Sequence, residues 1–169
     1  MPPFEIENLN SLKQFEGREF PPTDWFAVTE NRIQKFSEAT EDFQWIHTDP
    51  ERAKRETPFG GAIAQGFLTL SLLSHFVKEA IEIRSGIAMS VNYGLNKVRF
   101  PSPVRAGSEV RARVTLLSAR ESPEFLDAAF LIQIENGQPE GQGVHSELPP
   151  KPCCVAEWLV RYYAQPAFR

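Results

Sequence analysis

The chain has 169 residues, 41% hydrophobic, 11% aromatic and 24% charged, which suits one globular domain with a real core and excludes a disordered or fibrous chain. We read it as a single domain over 1–169, with 1–23 as an N-terminal lead-in. Eighteen Lys and Arg against 22 Asp and Glu give a net charge of −4, so no basic field favours nucleic acid and an anionic ligand needs a local patch.

The opening MPPFEIENLNSLKQFEG has no basic segment followed by an apolar one, so a signal peptide is not expected. Within it, Leu9, Leu12 and Phe15 fall near helical spacing before Pro21 and Pro22. Asp24–Val28 is a short strand candidate. Thr29 is an N-cap for a helix over Glu30–Ala39, with Ile33 and Phe36 on one face. Thr40–Thr48 is expected as a loop. Asp49 then caps a short exposed helix with Pro50 at its first position.

From Thr57 to Val77 the chain runs 21 residues without Asp, Glu, Lys or Arg. A membrane span is not expected, because Pro58, Gly60, Gly61, Gln65, Gly66 and Ser71 interrupt the stretch. It reads as a glycine-rich turn opening a long helix, about Ala62–Ile83, apolar nearly all round and therefore buried on most sides. Gly86 ends it. Beyond residue 86 the pattern becomes β: Ile87–Phe100, Glu109–Ala119, Phe125–Glu135 and Cys153–Tyr163 are rich in Val, Ile, Phe and Tyr and partly alternating. The polar run 136–152 is a flexible excursion between two strands, and His145 within it is expected to be solvated.

This is an α+β pattern: an antiparallel β-sheet wrapped around a long central α-helix. Such a layer leaves sheet edges and one side of the helix open, so a homodimer or higher homo-oligomer is the default expectation. The only cysteines, Cys153 and Cys154, are sequence neighbours; they imply neither a disulfide framework nor a metal site, and a reducing, cytoplasmic setting is expected.

The chemistry-bearing residues cluster just ahead of the charge-free stretch. Asp42 and His47 stand five residues apart, and a helix N-terminus follows. An acid, an imidazole and a helix start suit an enzyme that handles a carbonyl compound. Asp49 is explained as a cap, Gly60 and Gly61 serve the turn, and His75 reads as a core or interface residue. Trp45, between acid and base, fits either an acyl pocket or packing. Lys97, Arg99, Arg105, Arg111 and Arg113 are either phosphate contacts or the wet face of strands.

The string EDFQWIHTDPERA, followed by FGGAIAQGFLTLSLLS, resembles the hydratase motif of the MaoC-like dehydratases, the (R)-specific enoyl-CoA hydratase family. VNYGLNKVRFPSPVRAGSEVRARV and KPCCVAEWLVRYY are similar to its NodN-like subgroup. The resemblance spans about residues 24–163 and implies the hot-dog fold. It also implies reversible hydration of a trans-2-enoyl-CoA to the (R)-3-hydroxyacyl-CoA. Asp42 and His47 match the catalytic pair that holds water. Asp42 is the expected base, and the donor of the proton to C2 is open. Gly66 matches the glycine whose amide points at the thioester oxygen, and Ser74 a serine that supports the site. Gln44 and Gln65 stand where the family often has Asn and His; both are expected to support the site. No metal or cofactor is implied, coenzyme A being part of the substrate. A hot-dog thioesterase and a non-catalytic acyl-ligand binding protein are the alternatives.

Overall fold

A computed structural model describes residues 1–137 and 152–164. Five strands form one antiparallel sheet in the order β2-β5-β6-β7-β4: β2 Phe26–Val28, β5 Ser108–Glu121, β6 Phe125–Asn136, β7 Cys154–Ala164 and β4 Ile87–Arg99. The expected alternation holds. Val110, Ala112, Val114 and Leu116 of β5 point inward and are fully buried, as are Phe130, Ile132 and Ile134 of β6. The intervening Arg111, Arg113 and Glu135 face outward and pair with one another.

The sheet curls around a helix that is shorter than its apolar stretch suggests. The central helix comprises α4 Gly66–Ser71 and α5 Leu73–Ala80, joined through a tightened turn at Leu72. Both expected ends are corrected. Ala62–Ala64 is extended, because the Ala64 amide donates to the Val104 carbonyl (2.8 Å) and the Ala106 amide to the Ala62 carbonyl (2.9 Å). Gly60, at φ 74°, makes the turn that permits this. At the other end, Ile81–Ile83 is strand β3, pairing in parallel with β1, Phe4–Ile6. Leu9–Phe15 of the lead-in forms a 3₁₀ helix whose Leu9 and Leu12 are buried.

One side of the helix stays open, as expected. Leu68, Leu73, Phe76, Val77 and Ala80 enter the core, and Phe76 is fully buried, a position where truncation to Ala costs about 3–5 kcal/mol. The opposite stripe is open: Phe67 is 71% exposed. Strand β4 borders that stripe with one edge unpaired among the described residues, and Met89, Val91, Tyr93 and Leu95 are exposed on it.

Between β2 and the central helix lie three short helices: α1 Glu30–Thr40, α2 Trp45–Thr48 and α3 Pro50–Glu56. Thr29 caps α1 by accepting from the Arg32 amide (3.2 Å), and Asp49 caps α3 by accepting from the Arg52 amide (2.9 Å). The expected loop over Thr40–Thr48 contracts to residues 41–44, since α1 runs to Thr40 and Trp45–Thr48 is helical. Glu41 ends α1 in the left-handed conformation, φ 58°. His145 and most of the 136–152 run lie outside the described residues.

Two outward carboxylates tie neighbouring strands. Arg161 holds Asp127 through two hydrogen bonds of 2.7 Å, which lower the Asp127 pKa. Burial pushes Glu135 up, but hydrogen bonds from Arg113 and Arg111 outweigh it and the net shift is down. A carboxylate whose folded pKa is lowered contributes stability above its unfolded pKa, and loses it as pH falls through the folded value. Urea midpoints should therefore fall as pH drops below about 4, the unfolded carboxylate range. Asp127→Asn and Glu135→Gln should lower the neutral-pH midpoint and flatten that acid limb; unchanged acid limbs would refute the assignment.

Candidate functional site

His47 sits in α2, a single turn, and its imidazole is fixed by backbone. Its Nδ1 lies 2.7 Å from the Ile63 carbonyl oxygen. A carbonyl only accepts, so Nδ1 carries hydrogen and the neutral ring keeps its lone pair on Nε2. The same extended segment is held to α2 by the Ile63 amide donating to the Ile46 carbonyl (3.0 Å). The bridge that delays the helix thus also sets the tautomer of His47.

The imidazole lines a mainly apolar cavity of about 330 Å³ with Gly66, Thr69, Phe100, Ser102 and Cys153. Gly66 opens the central helix, where the first amides have no intrahelical acceptor. Any side chain there would meet Phe100: a Cβ would stand 3.1 Å from its ring carbons. Glycine therefore does two things, leaving the helix start open and admitting the ring beside it. His47 and Gly66, 19 residues apart in sequence, are brought to one cavity as expected.

The other expected site residues are placed differently. Asp42 is exposed in the loop 41–44 and does not line this cavity. Its amide donates to the Ser37 carbonyl (3.2 Å), and its carboxylate accepts from the Gln44 amide at a long 3.4 Å. Gln44 contributes backbone, its carbonyl accepting from the His47 amide (2.9 Å). Gln65 is 2% exposed and bonds Ser37, so it is a core residue and not a ligand contact. Ser74 lines a separate groove of about 480 Å³ between the open helix stripe and β4, with Phe67, Leu70, Asn92 and Trp158. Trp45 packs under the Arg52 guanidinium, 4.3 Å from its ring.

The cysteine in the cavity is a residue that sequence reading set aside as a strand thiol. Cys153 donates to the Ile134 carbonyl (3.2 Å), and burial pushes its pKa up to about 12. It is a wall of the cavity and not a nucleophile. His75 is away from this cavity, its ring 4.8 Å from that of Phe26; its Nε2 is 3.3 Å from Glu79 but not aligned as a hydrogen bond. Among the arginines, Arg111 and Arg113 are engaged by Glu135 and Glu19, and Arg105 donates to the Gly60 carbonyl (3.0 Å). Lys97 and Arg99 have no carboxylate partner among the described residues. The described residues contain no cluster of His, Cys, Asp and Glu fit for a metal ion.

A family model described as "MaoC like domain" matches residues 12–125. The 3-hydroxyacyl-thioester dehydratase Z of Mycobacterium tuberculosis is 39% identical over 162 residues, covering 94% of this chain and 98% of that protein. Nodulation protein N of Rhizobium meliloti is 37% identical, covering 90% and 89%. Among solved structures, the (R)-hydratase from A. caviae involved in PHA biosynthesis superposes with a TM-score of 0.63 at 23% identity, covering 86% of this chain and 94% of its own. The chain belongs to the MaoC-like dehydratase family and has its hot-dog fold.

Proposed function

We propose that the protein is a hydro-lyase, an (R)-specific enoyl-CoA hydratase that adds water reversibly to a trans-2-enoyl-CoA. One observation carries this reading: an imidazole with its Nδ1 hydrogen committed to a carbonyl shares an apolar cavity with an open helix start. The similarity to a protein named as a 3-hydroxyacyl-thioester dehydratase supports it.

In this mechanism the thioester carbonyl oxygen takes the Gly66 amide. Water bound by Nε2 of His47 and the Asp42 carboxylate attacks C3, and Asp42 removes its proton. The C2–C3 π pair moves toward the thioester oxygen, where the Gly66 amide stabilises the developing charge. A proton then reaches C2 from the acid–base pair, closing the balance as one water added across the double bond. Removing one preorganised donor of this kind costs on the order of 3–4 kcal/mol of transition-state stabilisation. Arg99 and Lys97, exposed beside Phe100, are the cations available to the coenzyme A phosphates. No metal or redox cofactor enters. Two unpaired thiols accord with a cytoplasmic enzyme.

We assign a homodimer on the open face. A 13-residue strand with a free edge and exposed Met89 and Leu95 is an aggregation hazard unless another strand covers it. In sedimentation velocity the protein should run at twice its chain mass, and Met89→Lys with Leu95→Lys should shift it to monomer. A wild-type monomer would refute the assignment.

Loss of crotonyl-CoA absorbance at the enoyl thioester band tests the activity. Asp42→Asn and His47→Gln should each cut the rate by at least about 100-fold with the fold retained, the scale of general acid–base catalysis. Undiminished hydration by either variant would remove that residue, and release of free coenzyme A would favour a thioesterase. Cys153 separates a thiol-based thioesterase further. Cys153→Ala should keep full hydratase activity, and iodoacetamide at pH 8 should leave the folded protein active; loss of activity with alkylation of Cys153 would overturn its role as a wall.

A further inference from the structure

Gln65 directly precedes Gly66 and occupies the N-cap position of α4, yet its side chain does not cap that helix. It reaches 28 residues back to α1 instead, its Nε2 donating to the Ser37 hydroxyl at 2.8 Å. Both residues are sealed: Gln65 is 2% exposed and Ser37 0%. Ser37 lies in the last turns of α1, four residues after the buried Ile33, and so on the face that enters the core. Its backbone carbonyl accepts from the Glu41 amide and from the Asp42 amide (3.2 Å). One serine therefore holds the start of the Asp42 loop through its carbonyl and the start of the Gly66 helix through its hydroxyl.

The arrangement is not the cheapest way to fill that space. The Gln65 Oε1 atom is buried without a hydrogen-bond partner among the described residues. Turning the amide over would leave its nitrogen unpaired instead. A methionine of similar volume would pack there with no polar atom to satisfy. A buried amide that makes one hydrogen bond among the described residues, with its oxygen unused there, points to a role other than stability. The far end of the Asp42 loop is held from α2, where the Thr48 hydroxyl donates to the Phe43 and Gln44 carbonyls (3.3 Å each) and the His47 amide to the Gln44 carbonyl (2.9 Å); its start is held by Ser37. The loop is exposed, enters through Glu41 at φ 58°, and its carboxylate makes only the long bond to Gln44.

We propose that the Gln65–Ser37 hydrogen bond is a strut that sets the position of Asp42 relative to the Gly66 amide. Gln65 and Ser37 are positioning residues that touch neither substrate nor water. The catalytic consequence rests on the hydratase reading; the structural coupling does not.

Gln65→Met, Ser37→Ala and the double variant test it, one change on each element, so that a fold failure in one leaves the other informative. By amide NMR, Gln65→Met should shift the resonances of residues 41–44, and Ser37→Ala should shift those of Gly66 and Phe67. Unmoved resonances across the strut overturn the proposal whatever the protein catalyses. With crotonyl-CoA, each single variant should lose at least tenfold in kcat with KM within twofold. The double variant should be no worse than the poorer single. Full kcat in either folded single variant, or additive losses in the double, overturns the positioning role. Should wild type fail to hydrate the enoyl thioester, the hydratase reading falls and the NMR arm alone decides the strut.

Discussion

The short antiparallel bridge between Ala62–Ala64 and Val104–Ala106 is the constraint on which the site depends. Two backbone hydrogen bonds, Ala64 to Val104 and Ala106 to Ala62, pull three residues out of an otherwise helical apolar stretch. The displaced segment presents the Ile63 carbonyl to Nδ1 of His47. The helix must then start at Gly66, opposite the Phe100–Val104 turn that walls the cavity. Arg105 fastens the same place from outside through the Gly60 carbonyl. One bridge therefore fixes the tautomer of the imidazole, the point where helix amides become free, and the wall between them.

The sheet and the helix are matched on one side only. Inward residues of β5, β6 and β7 close over Leu68, Phe76 and Val77, and this burial is the main source of stability, at about 25 cal/mol per Å² of apolar surface. The remaining helix stripe and β4 bound a groove that runs from Phe67 past Ser74 toward Ile81. Its rims carry large exposed side chains, Phe67 and Tyr93 among them. A face that is both apolar and edged by an unpaired strand is unfavourable in water as it stands. The proposed dimer and the proposed site share that face, because Phe67 and Phe100, at 6.2 Å between ring centroids, divide the groove from the His47 cavity. Covering the groove would thus also close one flank of the chemistry.

The alternation in β5 and β6, the caps at Thr29 and Asp49, and the wrapped helix were all legible, because each rests on a local period or a single side-chain bond. The helix ends were not. Ala62-Ile-Ala and Ile81-Glu-Ile fit a helical pattern and a strand equally well, and partners distant in sequence decided them: Val104–Ala106 for one and Phe4–Ile6 for the other. How Gln65 acts was not legible for a related reason. A polar residue next to the key glycine reads as support for the site, but its partner Ser37 sits on another helix, distant in sequence. Ser74 stands eight residues beyond Gly66 and in α5, past the turn at Leu72, and lines the neighbouring groove. Cys153 carried no sequence signal as a cavity wall, since nothing local sets which way the residue just before β7 turns.

The division of labour between Asp42 and His47 follows from what holds each. Nδ1 of His47 is bound to a rigid backbone carbonyl, so the ring cannot turn or change tautomer without losing that bond. Nε2 is thereby a fixed acceptor, suited to orienting a water whose oxygen must meet C3 along one direction. Asp42 has no comparable anchor: it hangs from the Ser37 carbonyl on an exposed loop. A carboxylate on a loop can follow a proton as the reacting atoms rearrange, provided that its base does not drift. In the proposed mechanism His47 therefore aims the water and Asp42 takes the proton. On the proposed strut, the buried Gln65–Ser37 bond would set where Asp42 stands relative to His47, since it ties the base of that loop to the helix that begins at Gly66.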